Sequence, residues 1–192
     1  AGSFGLVSPS LRWWVKPFER TAFSLSAKMT RADGIYPYTL RNGNTSSRQR
    51  RYNTDITAWQ AEANAYHTFA DGSELAMKAY WYYSERGLPG TVILYANPSD
   101  ERMWDEDFFA QMAYRRSLGA RLQLQTRLKY THSWNQYRDW GSQYTDGVQT
   151  DRDRQDEGYA SATLGWLAAE GLQFAVAQDL SYNRLNNNVY VN

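Results

Sequence analysis

A strict two-residue alternation of apolar and polar side chains is the main pattern along this chain. It is clearest from Arg121 to Trp134, where even positions carry Leu, Thr, Tyr, His and Trp, and odd positions carry Arg, Gln, Lys, Thr and Ser. The same period recurs from Phe23 to Met29, from Leu75 to Tyr83 and, with small residues, from Trp59 to Ala65. A period of two is typical of a β-strand with one apolar and one polar face.

Further segments extend this pattern over the rest of the chain. A final strand is predicted from Leu172 to Tyr182, and weaker candidates run from Phe4 to Val15, Phe108 to Tyr114 and Tyr159 to Leu167. No segment has convincing helical periodicity. The sequence therefore predicts an all-β fold, an antiparallel up-and-down meander of about eight long strands.

The connections between these segments alternate between short and long. Short turns are predicted at 17–20, 70–73, 116–119 and 169–171, and long polar loops at 32–51, 85–103 and 138–158. Soluble hairpins usually have short loops at both ends of the sheet. Outer-membrane barrels have short turns at one end and long loops at the other, so the asymmetry favours that class.

Strand length and the placement of aromatic residues favour the same class. A transmembrane β-strand needs about nine to eleven tilted residues. Trp59, Trp81, Tyr83 and Trp134 lie at the long-loop ends of apolar faces, as in an interfacial girdle. The opposite edge has its own candidates near the tight turns, namely Phe23, Phe69, Leu75 and Phe174. The meander is therefore predicted to be part of a transmembrane outer-membrane β-barrel.

Basic residues decide which face of the sheet meets lipid. Arg121, Arg127 and Lys129 share one face, and each would cost roughly 2–4 kcal/mol near the bilayer midplane. The leucine face is therefore predicted to contact lipid, and the polar face to line a hydrophilic lumen.

Composition excludes several classes of function. The 192 residues carry 21 Lys and Arg against 20 Asp and Glu, so a net charge of +1 does not favour nucleic-acid binding. The absence of Cys excludes disulfides, thiolate metal sites and Cys nucleophiles, and two His make a His-rich metal site unexpected. The mean hydropathy is −0.72, and no 18-residue apolar run is present. The first residues contain no signal-peptide pattern and are typical of a chain that begins inside a domain.

One region resembles a known family. The run SERGLPG from Ser84 to Gly90, the hydrophobic tract after it, Asn97-Pro98, and RMWD from Arg102 followed by Phe108-Phe109 resemble a segment in the barrels of TonB-dependent outer-membrane receptors. The similarity is greatest to the vitamin B12 and siderophore receptors. The opening GSFG and the segment Ile35-Tyr36-Pro37-Tyr38 are similar to the same branch.

The resemblance implies a receptor in the outer membrane of a Gram-negative bacterium that imports a scarce ligand such as cobalamin or a ferric siderophore. Its implied partners are outer-membrane lipid, the imported small molecule and an inner-membrane energy-transducing protein acting through a plug domain. Such transporters have about 22 strands around a plugged lumen. Residues 1–192 are therefore expected to be a single segment of the barrel wall, without the plug domain and the remaining strands, and not an enzyme.

Candidate ligand-binding residues follow from position. Tyr80 and Tyr82 are expected to point into the lumen near the outer mouth, with Arg86, Tyr95 and Arg102 in the loop above them. Aromatic rings and arginines can hold a large polar ligand. The alternative for each residue is that the tyrosines pack on a plug and the arginines are solvated.

No cofactor is expected, although calcium is a weak alternative. Asp146, Asp151 and Asp153 lie in an acidic segment, and clustered carboxylates can supply oxygen ligands to Ca²⁺. The spacing matches no EF-hand, and the interleaved Arg152 and Arg154 would neutralise the acids, so a solvated loop is the favoured interpretation.

Three other functional classes stay open from the sequence. The chain can be a complete eight-stranded outer-membrane barrel with a structural or adhesive role, closed by pairing of its first and last strands. It can also be a rim enzyme that uses His132 and Asp139, although His132 is predicted on the lipid-facing side. A soluble carbohydrate-binding β-sandwich is the remaining alternative.

Overall fold

The computed structural model describes residues 2–92 and 99–188, which form ten β-strands. The strands are β1 Ser10–Phe18, β2 Thr21–Ala32, β3 Tyr36–Asn42, β4 Thr45–Arg51, β5 Ile56–Thr68, β6 Glu74–Gly87, β7 Arg102–Leu118, β8 Leu122–Trp140, β9 Val148–Ala169 and β10 Leu172–Asn187. Eight of them form one antiparallel sheet in the order β1-β2-β5-β6-β7-β8-β9-β10, and β3 pairs with β4 in a separate hairpin. The predicted all-β meander of eight long strands is confirmed. The described residues contain no helix that is long and apolar enough to cross a membrane.

Three predicted boundaries were wrong. The expected loop 138–158 is mostly strand, because β8 continues to Trp140 and β9 begins at Val148. A β-strand can continue with polar residues on both faces. This segment is polar on both faces, and the sequence analysis therefore interpreted it as a loop. The expected loop 32–51 contains the β3–β4 hairpin, and the first strand begins at Ser10 instead of Phe4.

The register places the apolar alternation of every strand on one face of the sheet, here called the apolar face. One row crosses all eight strands and consists of Val15, Phe23, Ala65, Met77, Met112, Leu128, Ala160 and Leu180. The neighbouring row on the other face, here called the polar face, consists of Trp14, Ser24, Asn64, Lys78, Gln111, Lys129, Tyr159 and Ser181. Successive residues of a strand point to opposite faces, so the sequence period becomes a difference between two surfaces.

The sheet has almost no core of its own. Ala58 is the one apolar side chain classed as buried among the described residues, whereas Phe23, Trp59, Met77 and Leu128 are all well exposed. The accessible surface is 13936 Å², while a compact folded protein of 22.2 kDa exposes about 9,400 Å². A single layer therefore leaves roughly half as much surface again uncovered.

The tight turns at one end of the sheet are staggered. The paired residues allow the position of each turn to be compared on one strand, β7. The last paired row before the β1–β2 turn contains Tyr114 of β7, and the last paired row before the β5–β6 turn contains Arg115. The β7–β8 turn begins after Leu118. The β9–β10 turn begins at Ala169, three residues beyond Trp166, which lies on the row of Leu118. Successive tight turns, which are two strands apart, are therefore displaced along the strands by one, three and three residues. The total displacement is seven residues over six strands, or about 1.2 residues per strand.

This stagger determines how far the strands lean if all the turns lie at one height. With a rise of about 3.3 Å per residue and about 4.8 Å between strands, the tilt is about 40°. Transmembrane barrel strands tilt by about 35–45°. At the long-loop end, Asp156 on β9 lies four residues below Arg152, which is on the row of Glu85, whereas Arg138 on β8 lies two residues above that row. The tight turns, at the other end of the sheet, therefore fit strands that are tilted in this way.

The outer strands of the sheet pair on one side only. Within the described residues, β1 pairs with β2 and β10 pairs with β9, and β1 and β10 do not pair with each other. The described residues also contain no second large sheet to cover the first, as a sandwich requires. The structure therefore shows neither a closed eight-stranded barrel nor a sandwich.

Candidate functional site

The candidate site lies on the polar face of β6 and β7, towards the end that carries the long loops. Tyr80, Tyr82, Ser84 and Arg86 alternate along β6 and therefore share this face. Three of the predicted ligand residues are thus brought together by one strand. Tyr95 lies outside the described residues.

Asp105 is the centre of the hydrogen bonds in this site. Its carboxylate accepts from Ser84 Oγ at 3.2 Å and from Asn135 Nδ2 at 2.5 Å, and it forms an ion pair with Arg86 Nη2 at 3.0 Å. The register explains the cluster, because Ser84 pairs with Asp105 and Asp105 with Asn135. Ser84 is fully buried. Arg86 is therefore held in the wall by Asp105, and the prediction that it lies in the loop above was wrong in placement.

An aromatic platform lies below this cluster on the same face. The ring of Phe109 stacks on Tyr80 with a centroid separation of 5.3 Å. The ammonium groups of Lys78 and Lys129 lie 5.9 and 5.7 Å from the Phe109 centroid, and Lys78 pairs with Glu62 at 2.9 Å. Flat rings flanked by cations can hold a ligand with an apolar surface and anionic substituents.

Arg102 is separate from these residues, because it lies on the side of the sheet that carries the apolar face. It is the first residue of β7, and its guanidinium donates to both carboxylate oxygens of Asp55 at 3.2 and 2.9 Å and to Glu85 at 3.0 Å. The hydrogen bond from Arg102 lowers the pKa of Asp55 below its ordinary value. The expected position of Arg102 in the loop was wrong, and its contacts indicate a role in joining β5, β6 and β7.

The long loop between β6 and β7 is closed at its neck. The amide of Leu88 donates to the carbonyl of Glu101 at 2.9 Å. Asn53 Nδ2 donates to both of their carbonyl oxygens, at 2.9 Å to Leu88 and 2.7 Å to Glu101. Asn53 has a φ of 56°, a left-handed conformation that Asn adopts more readily than most residues. A side chain at Gly87 would come within 2.7 Å of the Asn53 backbone, so this close approach requires glycine.

The acidic segment of β9 is divided between the two faces by the strand. Asp151 and Asp153 lie on the polar face, across from Tyr137 and Asn135, and Arg152 and Arg154 lie on the opposite side. The interpretation that these arginines neutralise the acids was wrong for Asp151 and Asp153, because it assumed a loop, whereas Arg154 does pair with Asp156 at 3.3 Å. A strand separates alternating charges instead of mixing them.

The calcium candidates are only partly brought together. Asp146 lies in the turn before β9, and Asp151 and Asp153 already accept hydrogen bonds from Gln149 and Asn187. The described residues contain no group of three or more His, Asp or Glu side chains placed to hold a metal ion. Calcium binding stays a prediction without support from this geometry.

His132 has a different partner from the one predicted. Its Nδ1 lies 2.7 Å from Asp156 Oδ1, which also accepts from the hydroxyl of Tyr130 at 2.7 Å. Asp139 instead accepts from the hydroxyl of Tyr144 at 2.5 Å, a contact that raises the pKa of this loop tyrosine. His132 lies on the apolar face, as predicted. The His132–Asp139 pair of the rim-enzyme alternative is therefore not formed.

The sequence analysis missed Ser84, Asp105 and Asn135 as members of the site. The signal was present, since Asp105 and Asp107 are two residues apart in the MWDEDFF segment and must share the face of Phe109. Their cross-strand partners depend on the register, which alternation alone does not provide.

Comparisons with known proteins give similarity at the level of structure but not of sequence. No family model and no curated protein matches the chain. Among solved structures, the chain is similar to OmpT (in-vitro folded), an outer membrane protein of Vibrio cholerae, with 12% sequence identity and a TM-score of 0.33. The match covers 94% of this chain and 56% of that chain, so the present chain spans a little over half the length of that protein.

Proposed function

We propose that this chain forms part of the wall of a β-barrel in the outer membrane of a Gram-negative bacterium. The observation that carries the proposal is the apolar face, which crosses all eight strands and is left uncovered by the fold. Lipid acyl chains cover such a face in membrane barrels, and their outward-facing apolar band supplies the same alternation.

The dimensions of the apolar face fit a bilayer. On β8 it extends from Leu122 to Trp134, a separation of twelve residue steps, which is about 40 Å along the strand. At a tilt of about 40° this length spans about 30 Å, the thickness of a bilayer hydrocarbon core. Leu128 lies at the midpoint of this segment.

Both edges of this band carry aromatic residues. Trp59 pairs with Tyr83, which stacks on Trp81, and Trp134 follows two strands further on the same row. Trp166 stacks on Phe174 at the turn end. Trp and Tyr are enriched at the two membrane–water interfaces, so this placement of aromatic residues supports the membrane proposal.

The finer proposal is that this wall belongs to a TonB-dependent receptor that takes up a scarce ligand such as cobalamin or a ferric siderophore. It rests on the resemblance of residues 84–109 and on the polar face at the long-loop end. There Tyr80, Tyr82 and Phe109 offer rings, and Arg86 and Asp105 offer hydrogen-bonding groups around them. Energy would reach the receptor through an inner-membrane protein and a plug domain outside these 192 residues.

The membrane proposal is tested by labelling two adjacent residues. The chain has no cysteine, so Met77→Cys and Lys78→Cys can each carry one nitroxide, on the apolar and the polar face respectively. With the chain folded in phosphatidylcholine vesicles, we expect the label at 77 to be relaxed by oxygen, which partitions into lipid, and the label at 78 by a water-soluble nickel chelate. Equal access of both reagents to both sites would show that the apolar face does not meet lipid.

The ligand proposal is tested separately with cyanocobalamin and with a ferric catecholate siderophore. We expect the variant Tyr80→Ala to weaken binding of one of them by about tenfold, since base or ring stacking on an aromatic is typically worth 1–3 kcal/mol. Tyr66→Ala is the matched control, because Tyr66 is on the same face but near the tight turns. Failure of both ligands to bind would contradict the proposed receptor function.

A further inference from the structure

The side of the sheet that carries the apolar face has a second feature at its long-loop end, a group of arginines on β8, β9 and β10. The group consists of Arg138, Arg152, Arg154 and Arg184, here called the arginine patch. Arg152 and Arg154 are two residues apart, with Cα atoms about 7 Å from each other. Arg138 and Arg184 lie diagonally from them on the two neighbouring strands.

The patch lies at the height of the aromatic edge of the apolar band. By register, Arg154 is paired with Trp134, the last apolar-face aromatic of the band on β8, and Arg152 with Gln136 just above it. Arg138 is one step higher and covers the ring of Trp104, at 5.5 Å from its centroid. The patch therefore begins where the apolar band ends.

Within the described part of the chain, the positive charge of the patch is largely uncompensated. Arg154 pairs with Asp156 at 3.3 Å, but that carboxylate is shared with His132. Arg152 is held by Gln136 Oε1 at 2.8 Å, which is a neutral acceptor. Arg138 Nε is buried and has no hydrogen-bond partner there. Asp151 and Asp153 of the same strand are on the polar face, so Asp156, which lies across from Arg184, is the carboxylate of β9 that faces the four arginines.

We infer that the arginine patch binds the phosphate groups of lipid headgroups on the outer side of the membrane. The inference rests on the proposed membrane function, because lipid headgroups meet this surface only if acyl chains cover the apolar face below it. Guanidinium groups recognise phosphate oxygens through paired N–H donors. The patch is continuous with the apolar band, which favours a lipid over a free anion. The phosphate of one lipid molecule can contact the arginines while its acyl chains contact the apolar band.

The test measures lipid selection by the whole 192-residue chain. The chain is folded in phosphatidylcholine vesicles that contain 1 mol% of spin-labelled phosphatidic acid or spin-labelled phosphatidylcholine, and the motionally restricted fraction of each is recorded. We expect phosphatidic acid to be preferred several-fold. A basic residue near an anionic membrane surface contributes about fivefold to binding.

Two triple variants make the test specific. The first is Arg152→Gln, Arg154→Gln and Arg184→Gln, which we expect to abolish the preference. The second is Arg41→Gln, Arg48→Gln and Arg50→Gln, which removes the same charge from one face of the β3–β4 hairpin and should keep the preference. Inorganic pyrophosphate at 1 mM should leave the restricted fraction unchanged.

Three results would overturn the inference. They are a preference that survives in the first variant, an equal loss in both variants, and full displacement of the lipid by pyrophosphate, which would indicate a site for free phosphate. Loss of selectivity with normal nitroxide accessibility at residues 77 and 78 would leave the membrane proposal intact. A chain that fails to insert at all would refute both proposals together.

Discussion

A positive charge placed at the centre of the apolar band should strongly destabilise the sheet in a membrane. Leu128→Arg puts a guanidinium on the apolar face, six residues from Leu122 and six from Trp134. Arginine at the bilayer midplane of a barrel costs about 2–4 kcal/mol, and the cost falls to about 0–1 kcal/mol near the interfaces. We therefore expect a loss of about 3 kcal/mol for Leu128→Arg and less than about 1 kcal/mol for Leu122→Arg.

The matched control is Thr131→Arg, which adds the same side chain to the same strand but on the polar face, on the row of Glu157. Reversible guanidinium unfolding of the chain in phosphatidylcholine vesicles measures all three variants. With a slope of about 3 kcal/mol per molar, the midpoint of Leu128→Arg should fall by about 1 M, while that of Thr131→Arg should move by less than about 0.3 M. Equal losses at positions 128 and 131, or no dependence on depth, would refute the assignment of this face to lipid.

The remaining predictions concern the long-loop end. Gly87→Ala should push Asn53 out of its hydrogen bonds and open the loop neck, so the amide of the following residue should exchange with deuterium at least tenfold faster, whereas Gly72→Ala in a tight turn should leave that rate unchanged. The pKa of Asp55 is lowered by Arg102, so the stabilisation from this pair is complete above the ordinary value of about 3.9 and is lost as the pH falls through the lower folded value. Carbon-13 titration of that carboxyl should show a midpoint below 3.9, and Arg102→Gln should return it towards normal. Ser84→Ala removes a buried hydroxyl that donates to a carboxylate and should cost about 1–2 kcal/mol in the same unfolding assay, a result that an unchanged midpoint would contradict.

The sequence was sufficient to predict the sheet, but not the continuation of its strands at the long-loop end. Alternation located the strands and their faces because a single-layer wall repeats one rule along every strand, and the row from Phe23 to Leu180 follows it throughout. The rule was applied only where apolar residues marked it. The polar continuation of β8 and β9 was therefore interpreted as a loop, although Asp151 to Arg154 keep the same period.

The candidate site was predictable in part for a related reason. Tyr80 and Tyr82 belong to one strand, so their shared face follows from parity alone. Arg102 was grouped with them because residues 85–103 were predicted to be one loop, but Arg86 and Arg102 lie on different strands and opposite faces. The contacts of Asp105 depend on cross-strand register, and nothing in a two-residue period specifies which residue of β8 lies beside it.

The separation of charges on β9 also limits how this chain can change over evolution. Side chains between Val148 and Gly158 reach their face only through odd or even position, and no core packing corrects an error. An insertion of one residue before Asp151 would move Asp151 and Asp153 to the apolar face and Arg152 and Arg154 to the polar face, as far as the next compensating bulge. An insertion of two residues would preserve both faces and lengthen the strand pair. Homologous walls should therefore differ in this region by even numbers of residues far more often than by odd ones.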